Sequence, residues 1–225
     1  MERLKIYAVI VALAIGLNSC NNTASDANNN SSEIHESLSV AGDTITKHAT
    51  GFSTAMHQMM SDMHQMPMSG NVDKDFAMMM KSHHQGAIDL SQFEITDGKD
   101  ETLKKIARKI SEEQKAEITQ FETRIAQLDT ALENYDPKEK QAGFAKVMDE
   151  SIRMMMDMAK MDTSMATDRQ FVAMMIPHHQ SATAMTKGYL EYGKDSILLE
   201  MAKKIIVDQK QEIEAFNRWM DQHKE

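Results

Sequence analysis

Apolar residues recur three, four, seven and eight positions apart along two long stretches of the chain. In the first stretch these positions are Leu103, Ile106, Ile110, Ile118, Phe121, Ile125 and Leu128. In the second they are Leu198, Ile205, Ile213, Phe216 and Met220. The spacing matches the turn of an α-helix, so each stretch predicts an amphipathic helix with one buried face. Lys, Arg and Glu lie between the apolar positions and predict a solvated outer face.

The two stretches belong to a longer internal repeat with a constant offset of 95 residues. His83-His84-Gln85 aligns with His178-His179-Gln180. The same offset pairs many other residues, among them Asp73 with Asp168, Phe76 with Phe171, Ala87 with Ala182, Gln114 with Gln209 and Glu117 with Glu212. A register that holds without a gap indicates one unit of about 80 residues that is present twice.

Turn-forming residues divide each unit into three predicted helices. The breakers are Pro67, Gly70, Gly98, Pro137 and Gly193. The predicted helices span residues 47–66, 73–96, 100–131, 138–162, 168–191 and 195–223. Four acidic residues stand where helix N-caps belong, namely Asp73, Asp100, Asp168 and Asp195. The pattern therefore predicts an all-α protein, with a first helical repeat at 47–131 and a second at 138–223.

The amino-terminal residues are typical of a secretory signal. Arg3 and Lys5 precede an apolar run from Ile6 to Leu17, which is too short for a comfortable bilayer span. Leu17-Asn18-Ser19-Cys20 resembles a bacterial lipoprotein box, so we expect a signal peptide at 1–19 and a lipid on Cys20. Residues 21–46 are rich in Asn, Ser, Thr and Asp, so that 20–46 is predicted to be the lipidated cysteine and a flexible tether. This predicts a periplasmic or cell-envelope protein anchored to a bacterial membrane by lipid only.

Composition supports helices and narrows the possible functions. Aromatic residues make up 5% of the chain, whereas the helix formers Glu, Lys, Gln, Ala and Met are abundant. The net charge of −9 disfavours nucleic acid as a partner, because binding to a phosphate backbone needs a basic surface. The 22 methionines accompany a single cysteine. A thioether is a soft, uncharged ligand that forms no disulfide, which suits metal binding outside the cytosol.

The second helix of each unit carries sulfur and nitrogen donors within one turn. Met79 and Met80 lie three to five residues before His83 and His84, and the second unit repeats the group as Met174, Met175, His178 and His179. These donors suit Cu(I) and the similarly soft Ag(I), while Cu(II) would depend on the histidines. Adjacent imidazoles point about 100° apart on a helix, so one ion need not take both. Copper, as Cu(I) or Cu(II), is the predicted bound metal.

The first helix of the first unit adds a further set of candidate ligands, which are Met56, His57, Met59, Met60, Met63 and His64. Methionines at helical spacing usually fill a core or form a flexible binding surface. His57 and His64 lie seven residues apart on one face with methionines on both sides. That interleaving is what favours a metal-binding role for the group.

Two further features bear on the histidine turns. Gln114-x-x-Glu117 and Gln209-x-x-Glu212 lie on the third helices, where a carboxylate or amide would orient an imidazole through its other nitrogen. An ordinary buried polar pair, or exposed residues, would give the same pattern. Pro177 precedes His178 inside its helix and is expected to remove a backbone hydrogen bond and kink the turn.

The motif D-x-x-F-x-x-x-M-x-x-H-H-x-x-A, followed by A-x-x-I and Q-x-x-E-I, occurs in both units. The pattern resembles the ferritin-like helical family of CopM-type periplasmic copper-binding proteins, and the resemblance covers about residues 47–223. It implies a ferritin-like helical bundle, built here from two tandem three-helix repeats, and Cu(I) binding by Met and His in copper resistance. The first unit has Lys81-Ser82 in place of Ile176-Pro177 and Arg124 in place of Trp219. We therefore favour Met175, His178 and His179 as the better site.

Enzymatic functions lack the residues that they require. A di-iron bundle needs Glu-x-x-His pairs, and none occurs in the chain. A blue-copper site needs a cysteine ligand, and Cys20 is in the wrong place. The sequence thus predicts copper buffering, resistance or delivery, with copper ions and a copper exporter or another envelope protein as partners. The alternative is a metal-free helical adaptor that docks a partner protein through its Met-rich face.

Overall fold

Six α-helices make up the regular structure of the computed structural model, which describes residues 42–128, 132–158 and 165–224. They are α1 (Gly42–Gln65), α2 (Val72–Asp97), α3 (Glu101–Ile125), α4 (Gly143–Met158), α5 (Thr167–Tyr192) and α6 (Ser196–Gln222). No strand occurs among the described residues, and the all-α prediction is confirmed. The predicted signal peptide and Cys20 lie outside the described residues. None of the described helices is long and apolar enough to cross a bilayer.

Three helix ends differ from the predicted ones by five or six residues. Helix α1 begins at Gly42, so residues 42–46, which we assigned to the tether, are helical, and α3 ends at Ile125 rather than 131. Helix α4 begins at Gly143 rather than 138, because the side chain of Asp136 accepts a hydrogen bond from the backbone N–H of Lys138 and forms a turn there. Gly143 has φ of +60°, a conformation that glycine adopts without strain.

Helices α2 and α5 pack against each other at the centre of one bundle. Helix α3 packs on α2 and α6 on α5, while α1 and α4 cover the outer sides of α2 and α5 and touch each other. The start of α2 meets the end of α5, since Asp73 accepts hydrogen bonds from the backbone of Lys194 and Asp195. The central pair is therefore antiparallel, and the two units of the repeat share one bundle.

The acidic residues at the helix starts have two different roles. Asp100 and Asp195 are the N-caps of α3 and α6, as predicted. The prediction for Asp73 and Asp168 is wrong, because both lie inside the first turn of their helices. The N-cap of α2 is Asn71, and that of α5 is Ala166, which has no side-chain hydrogen bond. Asp168 instead accepts the backbone N–H groups of Lys99 and Asp100 across the bundle.

Arg124 and Trp219 lie 95 residues apart in the sequence and make equivalent contacts. The indole Nε1 of Trp219 donates to Asp100 Oδ2 at 2.8 Å. The guanidinium Nε of Arg124 donates to Asp195 Oδ2 at the same distance. Each side chain thus binds the N-cap aspartate of the other unit. The replacement of tryptophan by Arg124 keeps this contact between the units.

Candidate metal site

Four fully buried histidines meet at the centre of the bundle, where α2 crosses α5. The rings of His83 and His178 face each other with their centroids 3.8 Å apart. Their neighbours turn the other way, so that His84 faces α3 and His179 faces α6 of its own unit. This division follows from the rotation of about 100° per residue along a helix. The inner histidines form one pair shared by both units, and the outer ones serve each unit separately.

A carboxylate holds each outer histidine from the adjacent third helix. His84 Nε2 lies 2.8 Å from Glu117 Oε2, and His179 Nε2 lies 2.9 Å from Glu212 Oε2. The second of these contacts has the distance of an ion pair, although its direction is poor for a hydrogen bond. The structure therefore favours the orienting role for the Q-x-x-E motif. Gln114 and Gln209 are also buried, and their Oε1 atoms have no hydrogen-bond partner.

Lysines from the opposite unit keep both carboxylates ionised. Lys204 on α6 lies 3.1 Å from Glu117, and Lys109 on α3 lies 3.3 Å from Glu212. Burial alone would raise the pKa of Glu117, but the contacts with His84 and Lys204 outweigh it and lower that pKa. The pKa of Glu212 is lowered in the same way, by His179 and Lys109 against burial.

The contact with Glu117 fixes which nitrogen of His84 is free. An ionised carboxylate only accepts hydrogen bonds, so Nε2 of His84 carries the proton. In a neutral ring the lone pair then lies on Nδ1, which has no hydrogen-bond partner in the structure. By the same argument Glu212 favours a free Nδ1 on His179, and that atom is likewise without a partner. A carboxylate behind an imidazole is a common support of metal-binding histidines.

The inner histidines differ because the repeat is broken at one position. His83 Nε2 lies 2.8 Å from Ser181 Oγ, whose own proton is donated to the backbone carbonyl of His178. Ser181 therefore accepts from His83 and leaves Nδ1 of that ring free. The residue that corresponds to Ser181 in the first unit is Gly86, which offers no side chain to His178. Both ring nitrogens of His178 consequently lack a hydrogen-bond partner.

Burial keeps the inner pair neutral. The pKa of His83 lies well below its usual value, chiefly because the ring is removed from water and secondly because His84 and His179 are close. The pKa of His178 is lowered by burial and then by His83 and His179. Buried polar atoms without partners are costly unless something else binds them. A metal ion would bind these lone pairs without displacing a proton.

The predicted methionine ligands lie in the same turns. Met79, Met80 and Met175 are fully buried, and Met174 is 3% exposed. Among the described residues no three His, Cys, Asp or Glu side chains converge on a point that would hold a metal ion. A metal at this centre would therefore need thioether sulfur beside the imidazoles. That mixed donor set fits a soft monovalent ion and does not fit an oxygen-preferring one.

The structure separates the candidates on α1. His57 and His64 are exposed, whereas Met56, Met59 and Met63 are buried in the core. Met60 is half-buried, and Ser53 Oγ lies 3.2 Å from Nδ1 of His57. The interleaving in sequence does not bring this group together, because a helix turns the buried methionines away from the histidines. His64 and Met63 do line one groove, which is described below.

Pro177 lies inside α5, which continues from Thr167 to Tyr192 without a break. Ser181 and the lysines Lys109 and Lys204 are the functional-site residues that sequence reasoning missed. A signal for Ser181 was present in the sequence, because the pairing with Gly86 is one of the places where the repeat fails. The lysines match at the same offset of 95 but look like ordinary surface charges.

Known proteins share this fold. A structure described as "CopM in the Ag-bound form (by soaking)" is 26% identical over 68% of this chain and 97% of its own length, with a TM-score of 0.51. One described as "CopM in the Cu(I)-bound form" is 27% identical over 67% and 96%, with a TM-score of 0.50. No curated protein matches the sequence. The family described as "Domain of unknown function (DUF305)" matches residues 21–125 and 73–220, in agreement with the resemblance and the repeat. This chain therefore belongs to the DUF305 family.

Proposed function

We propose that this chain is an extracytoplasmic copper-binding protein that holds Cu(I), and Ag(I) by the same chemistry, between α2 and α5. The observation that carries the proposal is a group of buried imidazole nitrogens without partners in the same helical turns as buried methionines. His83 and His178 from opposite units are the central donors, with Met80 and Met175 as the adjacent sulfur ligands. His84 and His179 lie in the same turns but face α3 and α6, so they are not part of this central set.

The charge and softness of these donors favour Cu(I) over Cu(II). Burial keeps the imidazoles of His83 and His178 neutral, and the thioethers carry no charge. The nearby carboxylates of Glu117 and Glu212 are already paired with His and Lys side chains. A divalent ion would lose more hydration energy on entering this dry centre and would gain no charged ligand. The CopM structures described with Cu(I) and with Ag bound have a similar fold and support this assignment.

The role that fits is binding rather than catalysis. All four histidines and three of the four methionines have no exposed surface, so an ion held there would not meet a substrate. Buffering, resistance and delivery all require only that the ion be held and released. The predicted lipid on Cys20 would keep the protein at a bacterial membrane, within reach of a copper exporter or another envelope protein.

The test is a Cu(I) competition titration of the full chain against a chromophoric chelator. We expect Met175→Leu to weaken binding about tenfold or more, because leucine conserves volume but lacks the sulfur ligand. His178→Phe is expected to weaken it further. Met185→Leu is the matched control, since Met185 is equally buried on the same helix almost three turns away.

The outcomes separate the possible functions. If the wild type takes no Cu(I) from the chelator, the copper function is wrong, and the metal-free adaptor with a Met-rich docking face becomes the better explanation. If Met175→Leu and Met185→Leu bind equally well, copper is bound elsewhere than between α2 and α5. Circular dichroism of each variant shows whether the helices remain intact.

A further inference from the structure

A groove of about 260 Å³ lies between the end of α1 and the side of α4, away from the buried histidines. Its lining includes six soft donors, which are Met63, His64, Met66, Met68, Met148 and Met156. They come from three segments, namely the last turns of α1, the connection to α2, and α4. Side chains from separate segments converge on this space, so the groove is a product of the fold and not of one helix.

These methionines differ in exposure from those that fill the core. Met63 and Met148 are buried at 2% and 3% and form the floor, while Met156 is 49% exposed at the rim. Met66 and Met68 are partly buried. A methionine that faces water gains little from the hydrophobic effect. Packing explains the floor and also Met66 and Met68, which pack against the core, but it does not explain the exposed thioether of Met156 at the rim.

The charged residues of the groove select against divalent ions. Asp149 is the carboxylate in the lining, and it is held by Lys140 at 3.0 Å and Arg153 at 2.7 Å. The hydrogen bond from Lys140 is the main cause of the lowered pKa of Asp149, so that this group is ionised and already paired. Two cations around one carboxylate leave a net positive charge, which repels a divalent ion twice as strongly as a monovalent one.

We propose that this methionine-lined groove is a second, solvent-accessible site for a soft monovalent ion, Cu(I) or Ag(I). The donors are neutral thioethers with one imidazole from His64, and such sulfur and nitrogen donors prefer soft monovalent ions. The site is open to water, in contrast to the centre between α2 and α5. It extends the proposed copper-binding function to another part of the chain, but its donors are entirely different residues.

The test uses Ag(I), which undergoes no redox change, and the full chain labelled with ¹³C in the methionine methyl groups. The variant carries Met66→Leu, Met68→Leu and Met156→Leu. Met154→Leu is the matched control, because Met154 is 40% exposed on the same helix but does not line the groove. We expect the triple variant to bind about one Ag(I) fewer than the wild type and the control to bind as the wild type does.

The methionine methyl spectra show which side chains bind the Ag(I) ion that the triple variant loses. In the wild type the methyl signals of Met66, Met68 and Met156 should shift on addition of Ag(I), and the shift should persist in a His83→Phe/His178→Phe variant. If the Ag(I)-induced methyl shifts persist in that variant, the groove binds Ag(I) independently of the central histidines. The groove site and the central site can therefore be disproved separately. Equal Ag(I) stoichiometry in the triple variant and the Met154→Leu control would overturn the groove site. Should the triple variant unfold, the single rim change Met156→Leu must still weaken Ag(I) binding about tenfold, or the proposal is wrong.

Discussion

Glu94 and Tyr189 occupy equivalent positions 95 residues apart, and both side chains are fully buried. The hydroxyl of Tyr189 donates to Asp73 Oδ1 at 2.6 Å. Glu94 lies beside Asp168, the counterpart of Asp73, and only a protonated carboxyl can donate as the tyrosine does. Burial, the contact with Asp168 and the charge of Asp100 raise the pKa of Glu94 to about 8, against a smaller opposing effect of Lys104. Glu94 therefore keeps its proton at neutral pH.

Glu94→Gln is expected to stabilise the protein at alkaline pH. The folded state of the wild type holds a proton that the unfolded state releases above pH 4.5, so stability falls as the pH rises from about 4.5 to 8 and then levels. Glutamine donates a hydrogen bond to Asp168 without titrating. We expect a gain of about 1–3 kcal/mol in the free energy of unfolding at pH 9, and a much smaller gain at pH 5. Urea unfolding across this pH range measures both.

Glu191→Gln is the control, because Glu191 is exposed on α5 and the change removes the same charge from the surface. Its effect should stay within about 0.5 kcal/mol at every pH. A parallel pH dependence in the wild type and Glu94→Gln would show that Glu94 is ionised in the folded protein at neutral pH.

At the scale of helices, glycine decides how closely α4 approaches α5. A Cβ atom added at Gly188 would lie 2.2 Å from Cγ1 of Val147 and 2.9 Å from its Cβ. Valine is branched and has one favoured rotamer in a helix, so the contact cannot be relieved by a side-chain rotation. Gly86 has a similar role on α2, but there the nearest atom is Sδ of Met59, on a flexible side chain.

Gly188→Ala should therefore destabilise the protein even though alanine is the better helix former. We expect the free energy of unfolding to fall by about 1–2 kcal/mol, because α4 must move away from α5. Val147→Ala removes the clashing methyl groups, and the double variant should recover most of the loss. Thermal unfolding of the two single variants and the double variant measures this coupling.

Lys187→Ala, at the exposed neighbouring position, serves as the control and should change stability by less than about 0.5 kcal/mol. If Gly188→Ala is instead more stable than the wild type, helix propensity outweighs the contact and α4 is not tightly packed.

Sequence alone predicted the helices and the duplication, because apolar periodicity and a constant offset are local and countable. It placed the histidine turns correctly on α2 and α5. It also suggested, as one alternative, that Glu117 and Glu212 orient the imidazoles. It failed for Asp73 and Asp168, since an aspartate at a helix start looks the same whether it caps its own helix or the turn of another unit. His83 and His178 are in contact although they lie 95 residues apart in the sequence. Helical periodicity describes only neighbouring residues, so it could not predict this contact.

At the scale of the whole molecule, most contacts between the units occur twice with the units exchanged. Lys204 meets Glu117 and Lys109 meets Glu212, and the N-caps of α3 and α6 are bound from the opposite unit. Such reciprocal contacts are those of a twofold dimer whose two copies have been joined in one chain. Two copies of a single unit would therefore reproduce the packing of α2 on α5.

The two units should differ in how tightly they dimerise when each is produced alone. In a dimer of residues 138–224, Tyr189 of each copy would donate to Asp168 of the other, and His178 would meet Ser181. In a dimer of residues 42–128, Glu94 would face Asp73 in both places, and His83 would meet Gly86 with no hydroxyl. We predict that 138–224 dimerises at least about tenfold more tightly than 42–128 at pH 8, as measured by sedimentation equilibrium.

The pH dependence tests the reason for this difference. Each Glu94 must be protonated to donate to a carboxylate, so formation of the 42–128 dimer takes up protons and should strengthen as the pH falls from 8 to 6. The dimer of 138–224 contains no such pair and should change little over that range. Glu94→Gln in 42–128 should then strengthen its dimer at pH 8 and remove its pH dependence. A folded monomer of 138–224, or a 42–128 dimer that is tighter at pH 8, would show that the exchanged contacts do not hold the units together.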